Sequence, residues 1–531
     1  MEKPLATAAF SFTAIVMAKR ISNIVILGGG SAGWLTAGVL ASEHRLKSTK
    51  DIRITLVESP EVRTIGVGEG TWPSMRETLR RMGVSETEFV KECDASFKQA
   101  SKFVGWVTGA PDDFYYHPFS TPQGDGDVNL VPTWAALNGK RPFADLASYQ
   151  PQLCERGRAP KQHQTPEFAA VANYAYHLDA GKFGAFMQKF CTDTLGVRFV
   201  PAHVERVETA DNGDIAGLHT REQGLIEGDL FIDCTGFSSL LLGEHFGVPY
   251  ISTTDVLFCD TALATQVPYP DRASAIASHT ISTAREAGWI WDIGLPTRRG
   301  VGYVYSSAHT TDERAEQVLT DYVGPAAAAM VTPRRIPINP GYRETFWHRN
   351  CVAVGISAGF IEPLEASALA LIEMSARMLA DELPATRELM DVVAGRFNER
   401  FRYRWGRIVD FLKLHYVLSR REDSSFWIDN RRADTIPERL KELLELWRYR
   451  PPSHRDFHQL EEIFPSASYQ YVLYGMGFRP QAGGHARRLD DRLAAERCIR
   501  ATAQLTAKYL KGLPSNRELI EYVGSHGMKR S

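Results

Sequence analysis

Two short apolar runs near the start of the chain flank one stretch with a helical pattern. Residues 22–27 (SNIVIL) and 52–57 (IRITLV) each have the length and the continuous apolar character of a buried strand. Between them, the stretch at 31–42 carries Trp34, Leu35 and Leu40 and reads as a helix. The pattern therefore predicts the order strand, turn, helix, strand.

The middle of the chain is rich in short apolar segments, whereas the last third has a helical periodicity. Strands are predicted at 197–200, 206–209, 215–219, 229–233, 256–265, 289–293, 301–305 and 351–355. From residue 387 onward, apolar residues recur every three or four positions, at Met390, Val393, Phe397, Phe401, Trp405, Ile408 and Leu412. We therefore predict a mixed α/β domain and a mainly helical C-terminal third.

Three glycines lie in and just after the predicted turn between the first strand and the helix. Gly28, Gly30 and Gly33 have the G-x-G-x-x-G spacing of a dinucleotide-binding turn, in which a pyrophosphate faces the helix N-terminus. Glu58 follows the second strand, 25 residues after Gly33, at the spacing of the acid that binds a ribose. The predicted cofactor-binding residues of this unit are Gly28, Gly30, Ser31, Ala32, Gly33 and Glu58.

The charge balance and the cysteines narrow the class of protein. Lys and Arg number 61 against 63 Asp and Glu, so the net charge of −2 gives no reason to expect binding to nucleic acid or to an anionic membrane. The seven cysteines are scattered and include no C-x-x-C pair, so we predict neither a disulfide framework nor a metal site. A soluble cytoplasmic enzyme that acts on a small molecule is expected.

An apolar run at 5–18 precedes the first predicted strand. It is too short to cross a membrane, which takes about 20 apolar residues. It also lacks the basic start of a signal peptide, because Glu2 stands beside Lys3. We expect residues 1–20 to be a disordered extension, with Met1 or Met17 as the first residue of the protein.

Two glycine-containing segments resemble those of one enzyme family. Residues 28–34 read GGGSAGW, and residues 64–73 read TIGVGEGTWP, with glycines that suit a loop lying against a planar ligand. From about residue 24 to residue 477, the chain resembles the flavin-dependent halogenases of the tryptophan and indole type, and 64–73 resembles their flavin strap. A surface turn before a helix is the alternative for 64–73. The resemblance adds Gly66, Val67, Gly68 and Glu69 to the predicted cofactor-binding residues.

The resemblance also implies the catalytic side chains. Residues 95–104 (ASFKQASKFV) resemble the family segment that carries a catalytic lysine, which places that role on Lys98. We read this segment as a helix, with Lys102 one turn further on as the competing lysine. The ammonium of Lys98 could orient hypohalous acid by hydrogen bonding, or its neutral amine could carry the halogen as a haloamine.

A second segment implies the acid and the halide site. Residues 360–369 (FIEPLEASAL) resemble the family segment in which a glutamate stands beside the lysine, which makes Glu365 the acid–base group or charge partner. The resemblance assigns the backbone N–H groups of Ser367 and Ala368 to halide, and Pro363 is expected to open a helix with free N–H groups in its first turn. Alternatively, Glu365 is a first-turn acid that stabilises this helix. The family's Ser-Thr-Gly is replaced here, which leaves the choice of chloride or bromide open.

Aromatic residues are the candidates for the flavin side of the site. Trp289 and Trp291 lie in WIWDIG, which resembles the family signature W-x-W-x-I-P with Gly294 in place of the proline. On a strand, the two tryptophans fall on one face. The resemblance implies that they lie on the flavin side, and a stripe of core residues is the alternative.

Other aromatic residues are the candidates for substrate binding. The YHPF segment resembles the one that stacks indole in tryptophan halogenases, which implies stacking by His117 and Phe119. Where relatives present a further stacking tryptophan, this chain has Phe464. The Tyr-Tyr-Glu cluster with which some relatives hold the amino-acid end of tryptophan is not recognisable, which argues against free tryptophan as the preferred substrate.

The implied fold class is α/β, with an FAD-binding mixed-sheet domain of the glutathione-reductase or hydroxylase type and a mainly helical substrate domain. We expect residues 21–99 and 166–385 to form the FAD-binding module. Residues 100–165 and 386–531 are expected to form the substrate module.

The implied activity is halogenation of an electron-rich aromatic such as indole. Reduced FAD, O₂ and bromide or chloride would give hypohalous acid, which is guided to Lys98. A separate NAD(P)H-dependent flavin reductase is implied, because no second dinucleotide fingerprint is visible, and the protein is expected to be a monomer or homodimer. Two alternatives stay open, namely an FAD-dependent aromatic monooxygenase and a flavin-binding protein without halogenating activity. The pair Lys98 and Glu365 favours the halogenase.

Overall fold

The computed structural model describes residues 20–61, 68–137, 141–459, 461–481 and 488–530. Residues 1–19 of the predicted extension lie outside these ranges, as do Gly66 and Val67 of the predicted flavin strap. Arg20 is described and forms an isolated antiparallel bridge with Thr386.

The described strands all lie between residues 23 and 360. They are β1 (Asn23–Leu27), β2 (Arg53–Glu58), β3 (Gly68–Gly70), β4 (Ser96–Lys98), β5 (Ala100–Val104), β6 (Phe114–Pro118), β7 (Ala175–Asp179), β8 (Arg198–Pro201), β9 (Val204–Thr209), β10 (Ile215–Thr220), β11 (Gly224–Glu227), β12 (Leu230–Asp233), β13 (Tyr250–Ser252), β14 (Thr261–Pro268), β15 (Thr280–Arg285), β16 (Gly288–Gly294), β17 (Arg298–Tyr305), β18 (Arg334–Pro337), β19 (Gly341–Arg343), β20 (Trp347–His348), β21 (Cys351–Ala353) and β22 (Gly359–Phe360). Most predicted strands are present within a few residues of their predicted bounds. The prediction at 256–265 starts too early, since β14 begins at Thr261.

The longest helices of the described chain begin after residue 366. They are α1 (Ser31–Glu43), α2 (Leu46–Thr49), α3 (Ser74–Met82), α4 (Glu86–Glu92), α5 (Val131–Ala136), α6 (Phe143–Ala147), α7 (Gln150–Glu155), α8 (Ala180–Lys189), α9 (Asp312–Val323), α10 (Pro325–Ala328), α11 (Ser367–Asp381), α12 (Arg387–Val417), α13 (Ser425–Asp429), α14 (Glu438–Trp447), α15 (Ser466–Gly475), α16 (Arg492–Gly512) and α17 (Asn516–His526). The long helix predicted from residue 387 is α12, with 31 residues. Among the described residues, no helix is long and apolar enough to cross a membrane.

A six-stranded sheet carries the glycine turn. Its strand order is β20-β21-β12-β1-β2-β8, and all neighbours are parallel except β20 and β21. Residues 24–27 of β1 are buried, as expected for a parallel strand that is covered on both faces. The carboxyl ends of β1, β2 and β12 therefore meet beside the turn that starts at Gly28.

A seven-stranded sheet carries the aromatic residues of the predicted site. Its order is β18-β14-β17-β16-β15-β5-β6, and only the β15–β5 pair is parallel. Strands β5 and β6 come from residues 100–118, so the first part of the predicted substrate module contributes to the same sheet as Trp289 and Trp291 of β16.

A small sheet places the predicted catalytic lysine. Strand β7 pairs antiparallel with both β3 and β4, so Gly70 lies opposite His177 and Lys98 lies opposite Ala175. The helix predicted around Lys98 is therefore wrong, because Lys98 ends β4 and Lys102 lies in β5. The backbone of this segment pairs with neighbouring strands, and such tertiary pairing overrides a weak local helix preference.

Candidate active site

The glycine turn has the geometry of a cradle for a cofactor phosphate. Gly28 has φ +113°, and a Cβ at this residue would lie 2.2 Å from the carbonyl oxygen of Cys234. A Cβ at Gly33 would lie 1.9 Å from the carbonyl oxygen of Gly28, so both positions require glycine for internal packing. A Cβ at Gly30 would meet no atom within 4 Å, so this position faces open space. The turn thus leaves room for a ligand at Gly30.

The start of α1 offers the groups that a pyrophosphate needs. Gly30 is the N-cap residue and supplies no side-chain cap, so the N–H groups at Ser31 and Ala32 are available to an anion. Glu58 lies at the end of β2. Burial raises the pKa of its carboxyl group, and this effect outweighs a hydrogen bond from Trp34, which acts to lower it. The described residues fit the predicted FAD site.

Two further predicted cofactor residues lie in β3, within the predicted strap segment 64–73. Gly68 and Glu69 pair with β7 through Asp179 and Leu178. Burial raises the pKa of Glu69 to about 7. The neighbouring strap residues Gly66 and Val67 fall outside the described part of the chain.

Lys98 is a buried amine at the end of β4. Lys98 is 1% exposed. Burial lowers the pKa of its amine to about 8, although the negative charge of Glu365 acts to raise it. Its Nζ lies 5.3 Å from the centre of the Phe119 ring. A Cβ at Gly70 would lie 3.2 Å from this Nζ and 3.4 Å from Cβ of Ala366. Glycine at position 70 therefore keeps space open beside the amine.

Glu365 lies in a turn of unusual backbone conformation. Residues 364–366 form one 3₁₀ turn, in which Glu365 has φ +64° and Ala366 has φ +53°. The regular helix α11 begins only at Ser367, so the expectation that Pro363 opens this helix is wrong. Two left-handed residues in succession break the helical path and start a new helix whose first N–H groups belong to Ser367 and Ala368.

Three polar side chains surround the carboxyl group of Glu365. Its Oε1 lies 2.7 Å from Nδ1 of His117 and 3.5 Å from Nε2 of His415, and Ser101 Oγ donates to its Oε2 at 3.4 Å. Burial would raise the pKa of Glu365, but attraction to His117, the His117 hydrogen bond, and the charges of His415 and Lys98 lower it overall. The buried carboxyl group is thereby kept ionised.

His117 has a partner on each ring nitrogen. Its Nε2 lies 2.9 Å from Oγ of Ser468, opposite the Nδ1 contact to Glu365. The lowered pKa of Glu365 keeps its carboxylate an acceptor, so the Nδ1–H of His117 donates to it, and Nε2 of the same ring is within hydrogen-bond distance of the Ser468 hydroxyl. The predicted stacking residue is therefore also fixed in orientation.

An open cleft brings the predicted substrate residues together. It is lined by Trp72, Pro73, His117, Pro118, Phe119, Ser120, Thr121, Glu365, Ile463, Phe464, Pro465, Ala467, Ser468 and Tyr471. Phe464 stacks on Phe411 with ring centres 3.8 Å apart. Of these lining residues, Glu365 is the one with a carboxyl side chain, and none is a lysine or arginine. The cleft is therefore suited to an aromatic, weakly polar ligand.

The two predicted flavin-side tryptophans are buried in β16. Trp289 Nε1 donates to Oε2 of Glu362 at 3.0 Å, and Tyr416 Oη donates to the same oxygen at 2.6 Å. Burial raises the pKa of Glu362. The rings of Trp289 and Trp291 are 6.5 Å apart and belong to the protein core.

Sequence reasoning missed three residues of this site. Trp72 falls within the predicted strap segment but was given no role of its own, and His415 was not among the predicted site residues, yet Trp72 lines the cleft and His415 faces Glu365. Ser468 holds His117. The one sequence signal for any of the three was the position of Trp72, close to the glycines of a segment predicted to lie against a ligand.

Among the described residues, no cluster of three or more His, Cys, Asp or Glu side chains could hold a metal ion.

Comparisons with known proteins cover nearly the whole chain. The tryptophan halogenase family profile matches residues 23–491. The tryptophan 6-halogenase of Streptomyces toxytricini is 33% identical over 523 residues, which cover 94% of this chain and 98% of that protein.

Solved structures agree with the family match. A tryptophan halogenase from Shewanella frigidimarina has a TM-score of 0.93 at 49% identity, covering 97% of this chain and 99% of that chain. A flavin-dependent halogenase from Xanthomonas campestris has a TM-score of 0.85 at 32% identity, covering 97% and 99%. The expected α/β fold class and the expected family are both confirmed. The chain is an enzyme that belongs to the tryptophan halogenase family of flavin-dependent halogenases.

Proposed function

We propose that this protein uses reduced FAD, O₂ and a halide ion to halogenate an electron-rich aromatic such as indole, through hypohalous acid held at Lys98. The observation that carries the proposal is the presence of a buried amine, Lys98, and a buried carboxylate, Glu365, whose charges influence each other's pKa beside an aromatic cleft. Phe119 connects the amine to the cleft, because its ring lines the cleft and the centre of the ring lies 5.3 Å from Lys98 Nζ. Hydroxylation needs neither a halide site nor such an amine.

The glycine turn and the start of α1 would hold FAD. Gly28 and Gly33 shape the turn, Gly30 leaves space for the pyrophosphate, Ser31 and Ala32 present N–H groups, and Glu58 would bind the ribose. Gly68 and Glu69 of the strap segment would lie along the flavin. When bound in its reduced form, FAD supplies with O₂ the two-electron oxidising equivalent that converts halide into hypohalous acid.

The start of α11 would hold the halide ion. The N–H groups of Ser367 and Ala368 have no partner within their own helix, and the helix dipole makes this end attractive to an anion. Backbone donors do not depend on the side chain, so Ala-Ser-Ala at 366–368 can still form the site.

Lys98 would orient the hypohalous acid. With a pKa of about 8, the amine is mostly an ammonium at pH 7 and can donate to the oxygen of the acid. An aromatic carbon then attacks the halogen, the halogen–oxygen bond breaks, and the hydroxide that is released takes a proton from the Lys98 ammonium and leaves as water. Burial of Lys98 keeps bulk water from competing for this hydrogen bond.

Glu365 would accept the proton that the aromatic carbon loses. Its lowered pKa keeps it ionised, and the contacts from His117 and Ser101 fix its orientation. A positioned base of this kind contributes about 10²–10⁴-fold to a rate.

The cleft favours a small indole over free tryptophan. The curated relative from Streptomyces toxytricini is a tryptophan 6-halogenase by name. Among the residues that line the cleft here, no lysine or arginine is present to bind an amino-acid carboxylate. His117, Phe119 and Phe464 offer aromatic faces instead, so stacking and apolar burial would supply the binding energy.

The remaining parts of the proposal concern the surroundings of the enzyme. A separate NAD(P)H-dependent flavin reductase would supply reduced FAD, and the enzyme would work in the cytoplasm as a monomer or homodimer. Residues 21–99 and 166–385 would bind FAD, while 100–165 and 386–531 would supply most of the substrate surface.

The test is mass spectrometry of an indole panel incubated with the protein, FAD, a flavin reductase, NADH, and bromide or chloride. The expected product gains one halogen and depends on both halide and reductase. A hydroxylated product that forms without halide would instead identify an aromatic monooxygenase. Consumption of NADH with no modified aromatic on the panel would contradict the proposal.

A further inference from the structure

We propose that Trp72 is a positioning residue, whose indole N–H holds the Glu365 turn while its ring forms a wall of the aromatic cleft. The inference rests on the proposed function and adds a residue to it. Trp72 Nε1 donates to the carbonyl oxygen of Glu365 at 2.8 Å. One side chain thereby contacts both the substrate space and the acid.

The hydrogen bond acts on a strained stretch of backbone. Glu365 and Ala366 both adopt left-handed conformations, with φ +64° and +53°. Residues other than glycine rarely adopt this conformation, and they keep it where surrounding contacts determine it. The carbonyl group of Glu365 belongs to the peptide that joins these two residues. A donor on this oxygen therefore fixes the peptide on which both conformations depend.

Trp72 is itself anchored through the backbone on both sides. Thr71 is buried, its N–H donates to the carbonyl oxygen of Tyr176 at 2.8 Å, and the N–H of Tyr176 donates to Oγ1 of Thr71 at 3.0 Å. On the other side, the N–H of Met75 donates to the carbonyl oxygen of Trp72 at 3.1 Å, just before the first turn of α3 is complete. The indole therefore acts from a fixed base and can hold the turn in place.

The ring of Trp72 packs on the aromatic wall of the cleft. Its centre lies 5.1 Å from that of Phe464, with the planes tilted by 60°. Both rings line the cleft. An aromatic ligand in the cleft would therefore restrict the same indole whose N–H holds the Glu365 turn.

The turn controls two features of the site together. It sets the direction of the Glu365 carboxyl group, and it ends where α11 begins at Ser367, the first of the proposed halide donors. Loss of the Trp72 hydrogen bond should therefore weaken halide use and halogen transfer more than it weakens binding of the aromatic substrate.

Two substitutions separate the donor from the ring. Trp72→Phe keeps an aromatic wall and removes the N–H. Trp72→His keeps a five-membered ring with an N–H donor near the position of indole Nε1 and removes the six-membered ring. Trp347→Phe is the matched control, because Trp347 Nε1 also donates to a backbone carbonyl oxygen, that of Arg349 at 3.1 Å, away from the cleft.

The readouts are the KM for bromide, the halogenated product formed per reduced FAD consumed, and the Kd for indole measured by calorimetry. For Trp72→Phe we expect the bromide KM to rise about fivefold and the product yield to fall about fivefold, since one neutral hydrogen bond is lost, with the indole Kd changed less than about twofold. For Trp72→His we expect the reverse, with an indole Kd raised about fivefold. Trp347→Phe should leave all three readouts unchanged.

Equal changes of all three readouts in the two Trp72 variants would overturn the inference, as would an unchanged bromide KM and yield in Trp72→Phe. A crystal structure of Trp72→Phe gives a readout that does not need activity, because the inference requires Glu365 or Ala366 to leave the left-handed region or to become disordered. If the unaltered protein halogenates nothing on the indole panel, the proposed function fails. The indole titrations and the crystal structure would still decide the role of Trp72.

Discussion

Nδ1 of His117 lies 2.7 Å from Oε1 of Glu365, so the aromatic wall of the cleft and its acid are joined by a hydrogen bond. The contact has an electrostatic effect as well as a structural one. Burial favours the neutral acid, and the interactions with His117 are the first among those that outweigh burial and lower the pKa of Glu365. The ring that was predicted to stack on substrate thus also favours the ionised form of the Glu365 carboxyl group.

Replacing His117 should therefore shift the pH dependence of halogenation. His117→Phe keeps a ring for stacking but removes the hydrogen bond, so the pKa of Glu365 rises. Because the ionised carboxylate is the active form, we expect the acid limb of kcat to move to higher pH. The measurement is a pH profile of indole halogenation between pH 5 and 9, with Ser101, His415 and Lys98 left in place around Glu365. If the acid limb of kcat stays at the same pH, His117 does not control the pKa of Glu365.

Lys98→Ala should abolish halogenation while FAD binding and oxidation of reduced FAD persist, because the amine acts after hypohalous acid has formed. Product mass spectrometry and a flavin titration measure the two effects. Lys102→Ala is the matched control, since Lys102 forms a surface-side ion pair with Glu155. Activity in Lys98→Ala together with none in Lys102→Ala would move the role to Lys102.

The buried amine should also leave a signature in stability. In the folded protein the pKa of Lys98 is lowered to about 8, against about 10.4 for a lysine in an unfolded chain. Between these values the unfolded chain binds more protons, so the free energy of unfolding gains a contribution that rises with pH. Lys98→Met removes this contribution. We expect the variant to be more stable than the parent at pH 7, with the gap narrowing from about pH 8 to 10.5 in urea titrations.

Gly30→Val should block FAD binding, because the valine side chain would fill the space that the turn leaves open for the pyrophosphate. Flavin fluorescence titration measures the loss. Gly395→Val serves as the control, since Gly395 lies exposed in α12 and also has no atom within 4 Å of its Cβ position. FAD affinity equal to that of the parent in Gly30→Val would mean that the phosphate lies elsewhere.

Indole should compete well with tryptophan. The measurement is kcat/KM for both compounds with each halide, with product positions assigned by NMR. We expect kcat/KM for indole to be at least equal to that for tryptophan, attack at C3 as the most nucleophilic carbon, and bromide to perform at least as well as chloride. A strong preference for tryptophan, with one position of its benzo ring halogenated, would reveal an amino-acid clamp in this chain.

The sequence predicted those parts of the fold that depend on continuous local patterns. The strand, glycine turn and helix at 23–43 and the long helix α12 each have a periodicity that neighbours cannot easily override. Lys98 was misassigned to a helix because ASFKQASKFV has no strong periodicity, and its pairing with β7 and β15 is encoded far away in the chain.

The sequence allowed the residues of the site to be predicted, but not the backbone turn and the hydrogen bond that join them. The motifs placed Lys98, Glu365, His117, Phe119 and Phe464 near one another through the family resemblance. The left-handed turn at Glu365 could not be foreseen, because a stretch beginning with proline and glutamate is typical of a helix start. The contact between Trp72 and Glu365 spans 293 residues, and no local pattern carries it.

The opposing walls of the cleft differ in how freely they could be redesigned. His117 and Phe119 lie at the end of β6, whose neighbour β5 is joined through β15 to the strand that holds Trp289 and Trp291. A change of volume on that side would be transmitted into the buried core around Trp289 and Trp291. The facing wall is built from the segment around Phe464 and from α15, which lie outside this sheet. An effort to broaden the range of aromatic compounds should therefore vary residues 463–467 first, and leave Ser468, which contacts His117, and the strand side as they are.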